Sequence, residues 1–494
     1  MKKLSKLIKN LTFTQIIGNT NKEIKSIEND SRKCNKGSLF VAIRGTNSDG
    51  HNYIGIAIKQ GTEVIVCEEL DSSVEIKDNI TFIIVENSRL ALAELAHALY
   101  DFPTRDMNVI GITGTNGKTT ITFLIKSILD NAGEKSAIIG TTGIYIGDSK
   151  LPSTHTTPDP LQLCNYLSQM KSEGVKYVIM EVSSHALSQN RVTGITFDIA
   201  AFTNLTHDHL DYHHTLEDYA SAKKLLFQML KPEGIAIVNG DDEHADFILK
   251  NISAKNLKIG RKEFNDVIIT GENLNLDETV FKLKINSKKY LNIKTNLLGR
   301  FNIDNSAMAA VICHQIGISD KTIVDSLQNV SGAPGRMQKI ILKNGAIALV
   351  DYAHTPDALE KALNSCREAM NSAGLINNKL ICVFGCGGDR DKTKRPIMGK
   401  LSSRIADFSI ITDDNPRTED SAKIIRDIYY GIDNGNKKKV IQISNRAEAI
   451  KYAFSISKDN DIILVAGKGH ETYQIIGEVK HHFDDNEELM KFTD

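Results

Sequence analysis

Residues 109–120 constrain this chain most, because an apolar run there leads into a glycine-rich turn and then into a helical pattern. The apolar run predicts a buried strand, and the periodicity that follows predicts an amphipathic helix over 119–131. Gly114 and Gly117 allow backbone N–H groups to close around phosphate oxygens, and Lys118 offsets their negative charge. The segment therefore predicts a strand, loop and helix that bind a nucleotide phosphate.

The spacing of this loop departs from the general phosphate-loop pattern. That pattern has a glycine five positions before Gly117, but Ile112 stands there, so the match is Gly-x-x-Gly-Lys-Thr-Thr. Thr119 follows the lysine and has a hydroxyl that can reach Mg2+. The alternative is a glycine-rich turn without a ligand, which the run Gly-Lys-Thr-Thr disfavours.

The length of 494 residues is too great for one hydrophobic core, so we expect three domains. Strand and helix patterns alternate along the chain, which predicts α/β domains. The predicted domains are a small amino-terminal α/β domain, a central phosphate-loop mononucleotide-binding domain with a mostly parallel sheet, and a carboxy-terminal Rossmann-like α/β domain, over 1–102, 103–333 and 334–494.

Charge and composition exclude several classes of function. Sixty basic and sixty-one acidic residues leave a formal charge of −1, so we expect no nucleic-acid partner and no anionic membrane surface. The seven cysteines form no Cys-x-x-Cys pair, which favours reduced thiols in a cytoplasm over a disulfide framework or a metal site. No export signal or membrane-spanning run is present, so we expect a cytoplasmic protein without membrane insertion.

Acidic and imidazole side chains follow two of the predicted central strands. Glu181 comes after the strand at 175–180, and a cluster of histidines and aspartates follows the strand at 199–203. Ligands of open α/β sheets bind at the carboxyl ends of the strands, so this pattern predicts a divalent cation with Glu181 and His209 as first choices. A lone histidine is more often structural, but the density of the cluster favours a site. Zinc is disfavoured, since no thiolate is nearby and phosphate chemistry prefers Mg2+.

Six motifs lie in order along the second and third predicted domains: Thr113-Gly-Thr-Asn-Gly-Lys-Thr-Thr120, Glu181-Val-Ser-Ser-His185, Asn204-Leu-Thr-His-Asp-His-Leu-Asp211, Leu298-Gly-Arg-Phe-Asn302, Pro334-Gly-Arg336 and Asp351-Tyr-Ala-His354. Together they resemble the Mur ligase family. Four further motifs resemble the members that add the third amino acid to UDP-N-acetylmuramoyl-L-alanyl-D-glutamate in peptidoglycan synthesis: His155-Thr-Thr-Pro-Asp159, Gly385-Cys-Gly-Gly-Asp-Arg390, Asp414-Asn-Pro-Arg417 and Gly467-Lys-Gly-His-Glu471.

The resemblance implies an ADP-forming ligase. ATP would phosphorylate the D-glutamate carboxylate, and the incoming amine would attack the acyl phosphate. The implied catalytic residues are Lys118, Lys223, Arg336 and His354. ATP is implied to bind Gly114, Thr115, Asn116, Gly117, Lys118, Thr119, Thr120, Asn302 and Arg336, and two Mg2+ ions are implied to bind Thr119, Glu181, His209 and carbamylated Lys223.

The family carries a lysine that CO2 converts to a carbamate, and two neighbours compete for that role here. Lys223 and Lys224 project about 100° apart on the predicted helix over 216–230, so only one can point at the site. The small residue before Lys223 matches the family pattern and selects it. Carbamylation needs a neutral amine, which burial promotes, and a solvated Lys223 remains the alternative.

The nucleotide-sugar substrate is placed by the same resemblance. Uridine and diphosphate are expected on Asn29, Ser31, Thr46, Asn47 and Ser48, and the muramoyl peptide on His155, Thr156, Thr157, Ser183, Gln189 and Arg191. Ordinary turn chemistry explains the polar turns around 29–32 and 45–50 about as well. We therefore expect domain 1–102 to bind the UDP-sugar, domain 103–333 to bind ATP and domain 334–494 to bind the amino acid.

The third amino acid is expected to be meso-diaminopimelate. Its distal carboxylate can accept two parallel hydrogen bonds from Arg417, whereas L-lysine presents only an ammonium there. The implied site consists of Arg390, Asp414, Asn415, Pro416, Arg417, Gly467 and Glu471.

Other functions remain open at this stage. A lysine-adding member of the family and a folylpolyglutamate synthetase are the enzyme alternatives, and a binding-only ATP scaffold is the non-enzyme alternative. The amino-terminal module disfavours the folate enzyme. We expect small-molecule substrates only, and a monomer.

Overall fold

The structure is a computed structural model that describes residues 1–45, 48–70, 78–147, 149–153, 155–206, 208, 210–276, 278–285 and 289–493. Two compact units emerge from its contacts. The first comprises Met1–Lys118 and Gly133–Lys258, and the second comprises Thr119–Ala132 and Ile259–Asp494.

The first unit begins with a five-stranded sheet. Its strands, in spatial order, are Gln15–Ile17, Thr81–Ile84, Val64–Cys67, Ser38–Val41 and Ser26–Glu28. All neighbours run parallel except the first pair. The helices Leu4–Leu7, Ile54–Lys59 and Ser88–Leu99 and the short strands Lys2–Lys3 and Glu23–Ile24 accompany it. Alternating Val, Ile and Leu side chains of these strands form a buried core, as a sheet covered on its faces requires.

A larger sheet fills the rest of the first unit. Its strands follow the spatial order Ser149–Leu151, Gly143–Ile146, Ser136–Gly140, Tyr177–Glu181, Asn108–Thr113, Phe197–Phe202, Leu230–Asn239 and Lys255–Gly260. The central strands are parallel, with Glu181 opposite Ile112 and Phe202 opposite Thr113. The carboxyl ends of these strands therefore meet at one edge, where an open α/β sheet binds its ligands.

The helices between these strands along the chain are Lys118–Asn131, Pro160–Ser172, Ser184–Ser188, Leu210–His213, Leu216–Gln228 and Ala245–Leu249, of which the first belongs to the second unit from Thr119 on. Next to the predicted boundary at 102, Asp101 and Phe102 form a turn with positive φ, followed by the 3-10 helix Pro103–Asp106.

The second unit contains an antiparallel set and a six-stranded sheet. The antiparallel strands are Val267–Leu274, Thr279–Lys284 and Tyr290–Thr295, accompanied by the helices Arg300–Gln315 and Asp320–Asn329. The six strands follow the order Gln338–Ile341, Ile347–Asp351, Ile462–Ala466, Leu380–Phe384, Phe408–Ile411 and Val440–Gln442. Only the first pair is antiparallel. Its helices are Pro356–Ser372, Lys394–Ile405, Ser421–Tyr430, Arg446–Ile456 and Asp485–Met490.

A short hairpin, Tyr473–Ile476 paired with Val479–His482, follows the central strand of this sheet. The sequence analysis did not predict it, because its side chains are half-buried or exposed and leave a weak apolar pattern. The predicted α/β class with mostly parallel sheets is confirmed.

All seven cysteines are buried and none is in a disulfide. Burial raises the pKa of their thiols, to about 12 for Cys67 and Cys382. None of the helices in the described residues combines the length and the apolar character that crossing a bilayer requires.

Candidate active site

The glycine-rich loop is shaped by one glycine that no other residue could replace without strain. Gly114 has φ +146°, and a Cβ there would lie 1.9 Å from the Thr203 Oγ1 atom. The Thr203 hydroxyl donates to the Asn116 carbonyl at 2.6 Å, and the Asn204 side-chain oxygen accepts from the Asn116 N–H at 3.0 Å. Two residues at the end of the neighbouring strand thus hold the loop, and Gly117, with φ +92°, turns it into the helix.

Lys118 is the first residue of the helix Lys118–Asn131. Its ammonium donates to the carbonyls of Gly114 at 2.8 Å and Thr115 at 3.0 Å. The lysine therefore curls over the loop, which keeps positive charge at the helix N-terminus where anions bind. Thr119 and Thr120 follow it and are buried.

Glu181 ends its strand with a fully buried carboxylate. Its two oxygens accept from the Thr141 N–H and the Thr141 hydroxyl, each at 3.0 Å. Gly140 leaves room for this arrangement, because a Cβ there would lie 2.2 Å from the Glu181 Oε1 atom. A buried, hydrogen-bonded carboxylate with hard oxygen atoms is the type of group that Mg2+ prefers.

Lys223 lies in the helix Leu216–Gln228 and is 1% exposed. Its ammonium sits 4.0 Å from the centre of the Tyr219 ring. Desolvation lowers the pKa of Lys223 well below its ordinary value, and the positive charge of Lys118 adds to this effect while Asp208 opposes it. The neighbouring Lys224 instead donates to the Phe247 carbonyl at 3.0 Å in an exposed position. Of the two lysines, only Lys223 has the burial that favours a neutral amine.

His209, the second predicted metal ligand, lies outside the described residues. Within the residues that are described, no group of three or more His, Cys, Asp or Glu side chains is arranged to hold a metal ion.

The residues predicted to bind the muramoyl peptide form a connected set in the first unit. The Thr157 hydroxyl donates to the Glu181 carbonyl at 2.8 Å and accepts from the Ser183 N–H at 3.1 Å. The Arg191 guanidinium donates to the Thr157 carbonyl at 3.0 Å and to the Gln189 Oε1 atom at 2.8 Å.

Two more members of that set are connected less closely. The Thr156 hydroxyl lies 3.0 Å from that of Thr141, which contacts Glu181. His155 is exposed, and desolvation together with the charge of Arg191 lowers its pKa. The set is therefore linked to the Glu181 carboxylate through Thr141.

The residues predicted to bind uridine and diphosphate are more scattered. Asn29 is exposed, whereas Ser31 is buried in the 3-10 helix Ser31–Lys33. The Ser48 hydroxyl donates to the Tyr53 hydroxyl at 3.2 Å. Thr46 and Asn47 lie outside the described residues.

In the second unit, Arg336 stacks over Tyr352, with its Cζ atom 4.8 Å from the ring centre. The Arg336 Nε atom is buried and has no hydrogen-bond partner among the described residues. The tyrosine also packs against His354, at 4.6 Å between ring centres. Although part of His354 is exposed, desolvation lowers its pKa, and Lys394 and Arg336 act in the same direction.

Asn302 has a different environment from the one expected of an adenine contact. Its side chain is 1% exposed, donates to the Leu298 carbonyl at 2.8 Å and accepts from Asn305 at 3.0 Å. Both ends of its amide are thus already used in holding the start of the helix Arg300–Gln315.

The Asp414-Asn-Pro-Arg417 segment follows the strand Phe408–Ile411 and contacts the segment around Glu471. The Asn415 amide donates to the Glu471 Oε2 atom at 3.0 Å, and the Arg417 guanidinium donates to the Gly388 carbonyl at 2.8 Å. Arg417 has φ +53°, and its backbone pairs with the hairpin through Ile475 and Gly477. A Cβ on Gly467 would lie 3.9 Å from the Asp414 carboxylate, and the charges of Asp414 and Arg417 both act on Glu471. Five predicted amino-acid ligands therefore lie together: Asp414, Asn415, Arg417, Gly467 and Glu471.

Pro416 and Arg390 are the other two residues predicted for this site. Pro416 precedes Arg417, and its carbonyl would lie 1.9 Å from a Cβ on Gly388, so the two loops approach closely. Arg390 is exposed and donates to the Asp389 carbonyl at 3.1 Å.

Lys468 is a residue of this site that the sequence analysis missed. It is fully buried, lies 3.3 Å from the Asp414 carboxylate and donates to the Asn415 Oδ1 atom at 3.2 Å. Its position in Gly467-Lys-Gly-His-Glu471 was the available signal, but a lysine between two glycines is typical of a solvated loop.

Comparison with known proteins identifies the class of enzyme. Three family models match the chain: the Mur ligase family catalytic domain over 23–100, the Mur ligase middle domain over 112–313, and the Mur ligase glutamate ligase domain over 335–469. The chain belongs to the Mur ligase family, as its motifs predicted.

Two proteins similar to this chain over nearly its full length carry the name of the same diaminopimelate ligase. The UDP-N-acetylmuramoyl-L-alanyl-D-glutamate–2,6-diaminopimelate ligase 1 of Clostridium acetobutylicum is 42% identical over 495 residues, which cover 99% of each chain. A solved structure of a UDP-N-acetylmuramoyl-L-alanyl-D-glutamate–2,6-diaminopimelate ligase matches with a TM-score of 0.68 at 35% identity, over 95% of this chain and 94% of that one.

A folate enzyme shares the fold over a smaller part of the chain. The Mycobacterium tuberculosis folylpolyglutamate synthase matches with a TM-score of 0.63 at 15% identity, and covers 77% of this chain and 93% of its own. At that identity the likeness shows the fold alone.

Proposed function

We propose that this chain is an ATP-dependent ligase that joins meso-diaminopimelate to the D-glutamate carboxylate of UDP-N-acetylmuramoyl-L-alanyl-D-glutamate. The observation that carries the proposal is the cluster of Arg417, Glu471 and Asn415, because it presents both an anion-binding and a cation-binding group in one place. A distal centre that bears a carboxylate and an ammonium fits such a pair. The relatives' names and their full-length similarity support the same substrate.

The reaction forms an amide in two steps. The D-glutamate carboxylate attacks the γ-phosphorus of ATP, ADP leaves, and an acyl phosphate results. The amine of diaminopimelate then attacks the acyl carbon, loses a proton and expels inorganic phosphate. The protein's task is to position these reactants and to offset their negative charge.

Residues of the phosphate loop are proposed to bind ATP. The N–H groups at Gly114–Thr120 and the ammonium of Lys118 would surround the phosphates, as the curled lysine and the helix N-terminus suggest. Arg336 is proposed to neutralise the transferring phosphate, which its buried, unpartnered Nε atom supports among the described residues. His354 stays a proposed catalytic residue near the reacting carboxylate. Asn302 is the weakest of the proposed ATP ligands, since its amide is already engaged.

Magnesium and a carbamate suit the residues present. Thr119, Glu181, His209 and a carbamate on Lys223 are proposed to hold two Mg2+ ions, whose contribution is to offset phosphate charge. The buried Glu181 carboxylate supports a hard cation. Carbamylation would form a bond between the neutral Lys223 amine and the carbon of CO2, with loss of one proton. The lowered pKa of Lys223 supports that step, because it supplies the neutral amine.

We also propose residues that bind the nucleotide sugar, and a localisation and oligomeric state for the enzyme. Uridine and diphosphate are proposed to bind Asn29, Ser31, Thr46, Asn47 and Ser48. The muramoyl peptide is proposed to bind His155, Thr156, Thr157, Ser183, Gln189 and Arg191, which the connected set around Thr157 supports. We further propose a cytoplasmic monomer with domains 1–102, 103–333 and 334–494.

One experiment tests reaction and substrate together. The purified enzyme is incubated with UDP-muramoyl dipeptide, ATP, Mg2+ and equal concentrations of diaminopimelate and lysine, and the product is weighed by mass spectrometry. We expect the diaminopimelate product and one ADP per product. A lysine product would favour the lysine-adding alternative, glutamylated folate in a parallel assay would favour the folate enzyme, and ATP binding without any product would favour the scaffold.

A further inference from the structure

Lys468 is the least expected charged group in the second unit. Its ammonium is fully buried and donates to the Tyr473 carbonyl at 2.7 Å and to the Asn415 Oδ1 atom at 3.2 Å. The Asp414 carboxylate lies 3.3 Å away and the Glu471 carboxylate 4.0 Å away. A buried cation is tolerated only when it is paired and hydrogen-bonded, and Lys468 meets both conditions.

The ammonium fixes the orientation of the Asn415 amide. Lys468 and the Ile475 N–H both donate to the Asn415 Oδ1 atom, the latter at 2.9 Å. With its oxygen held by two donors, the amide must turn its NH2 group the other way, where it donates to Glu471 at 3.0 Å. Lys468 thus positions a residue of the proposed amino-acid site without itself needing to touch the substrate.

The ammonium also controls the charge of Glu471. Desolvation raises the pKa of this carboxyl group and Asp414 raises it further, whereas Lys468 and Arg417 lower it. Other ionisable groups around the two residues are Tyr352, Arg446, Tyr473 and Asp485. Arg446 is already paired with Asp485 at 2.7 Å. Without Lys468, the Asp414 and Glu471 carboxyl groups would therefore keep Arg417 as their remaining uncommitted cation, and a proton on Glu471 would become more favourable.

We infer that Lys468 is a specificity-determining positioning residue, which sets the charge balance of the site so that it selects an amino acid ending in both an ammonium and a carboxylate. Two acidic groups, Asp414 and Glu471, then face two basic groups, Lys468 and Arg417, and a zwitterion adds no net charge. Loss of Lys468 leaves an excess negative charge, which favours a lone ammonium such as that of lysine. This inference rests on the proposed function.

Three variants separate charge from hydrogen bonding. Lys468→Met removes both, Lys468→Gln keeps a donor for Asn415 or the Tyr473 carbonyl without the charge, and Lys468→Arg keeps the charge. We expect the ratio of kcat/KM for diaminopimelate over lysine to fall about 30-fold or more in the Met and Gln variants. The loss should lie in KM for diaminopimelate, with KM for ATP within about twofold of wild type, and Lys468→Arg should recover part of the ratio.

The pH profile gives a second readout. In the two uncharged variants the ratio of kcat/KM for diaminopimelate over lysine should fall as pH rises from 6 to 8.5, because Glu471 then loses its proton and the excess negative charge appears. Lys22→Met is the matched control, since Lys22 donates to the Glu63 carbonyl at 2.9 Å in the amino-terminal sheet region and should leave the ratio unchanged.

Full preference in Lys468→Gln would overturn the inference, because a hydrogen bond alone would then suffice. An equal loss with diaminopimelate, lysine and ATP would also overturn it, since that pattern signals a general structural defect. If Lys468→Met does not fold, the Gln and Arg variants decide between the same outcomes. A wild-type enzyme that makes no diaminopimelate product contradicts the proposed function itself, before any variant is compared.

Discussion

At the residue scale, two consecutive lysines have opposite environments. Lys223 is buried against Tyr219 with a lowered pKa, whereas Lys224 lies at the surface and contacts Phe247. A helix turns about 100° per residue, so neighbouring side chains point in different directions. One position therefore decides which of the two ammonium groups is desolvated by burial. The pair offers a site residue and a control with the same chemistry.

The first prediction concerns Lys223→Ala. We expect kcat for tripeptide formation to fall about 10- to 100-fold, as loss of a group that supports a metal typically does. Steady-state kinetics measure the change, and 13C NMR with labelled bicarbonate should show a carbamate signal in wild type only. Lys224→Ala should match wild type in both, and an active Lys223→Ala enzyme would refute the proposed metal support.

The second prediction concerns Arg417→Ala. A charge-assisted pair with the distal carboxylate contributes about 1.5–3 kcal/mol, so KM for diaminopimelate should rise about 10- to 100-fold. KM for ATP should stay near the wild-type value. Exposed Arg404→Ala on the helix Lys394–Ile405 serves as the control. Equal losses for both substrates would contradict the assignment of Arg417.

Sequence patterns located these residues unevenly, for a physical reason. Helical periodicity predicted that only one of Lys223 and Lys224 could point at the site, and the small residue before Lys223 selected it by resemblance to the family. The burial of Lys468 was not predictable, because it depends on contacts with Asp414 and Tyr473 from other parts of the chain. Nor could the sequence show that the Asn302 amide is already engaged by Leu298 and Asn305.

At the scale of elements, the glycine-rich loop depends on close approach to the next strand. The third prediction is that Gly114→Ala abolishes nucleotide binding, because its Cβ would clash with Thr203 and its φ of +146° suits only glycine. The stabilisation of the protein by ATP in a thermal-shift assay should disappear. Gly133→Ala is the matched control: φ is also positive, at +76°, but no atom lies within 4 Å of the added Cβ.

The control should lose about 1–2 kcal/mol of stability, because a left-handed φ is unfavourable for alanine, and should keep the ATP-induced shift. A Gly114→Ala protein that keeps a normal shift would show that the loop does not need this close approach.

Elements with strong periodicity were predicted closely, and elements without it were not. The helix Lys118–Asn131 begins one residue before the predicted start and ends at the predicted residue. The antiparallel strands over 267–295 and the hairpin after Tyr473 went unpredicted, because their partly exposed polar residues leave neither a long apolar run nor a strict alternation.

At the scale of the whole molecule, a buried histidine of the predicted amino-terminal domain contacts the predicted central domain within the first unit. His97, in the helix Ser88–Leu99, is 1% exposed and approaches Gly194, where a Cβ would lie 2.5 Å from its ring. Desolvation lowers the pKa of His97 from 6.5 to about 4, and a hydrogen bond with the Thr193 backbone opposes the shift. The Nδ1 atom finds no partner among the described residues.

The fourth prediction follows from the sign of this shift. Between pH 4 and 6.5 the unfolded chain binds a proton at His97 that the folded chain does not, so stability falls as pH falls through this range. The His97 contribution amounts to roughly 3 kcal/mol. Urea unfolding midpoints at pH 4.5 and 7 should therefore differ less in His97→Gln than in wild type. Exposed His481→Gln should leave the difference unchanged, and identical pH dependence in all three proteins would contradict the prediction.

The motifs gave the order of the central and carboxy-terminal domains, and the family models match in that order with a further match over 23–100. The predicted boundaries at 102 and 333 stay predictions. Contacts such as that of His97 with Gly194 join residues far apart in the chain, which no local pattern encodes.

The burial of every cysteine gives this enzyme a practical property. Protonated thiols inside the protein react poorly with maleimides, because the thiolate is the reactive form. A cysteine introduced at Phe13 or Tyr430, which are 41% and 78% exposed, would be the dominant target for a fluorophore or spin label. Probes for distance measurements can therefore be attached at an introduced cysteine without first replacing the seven native cysteines.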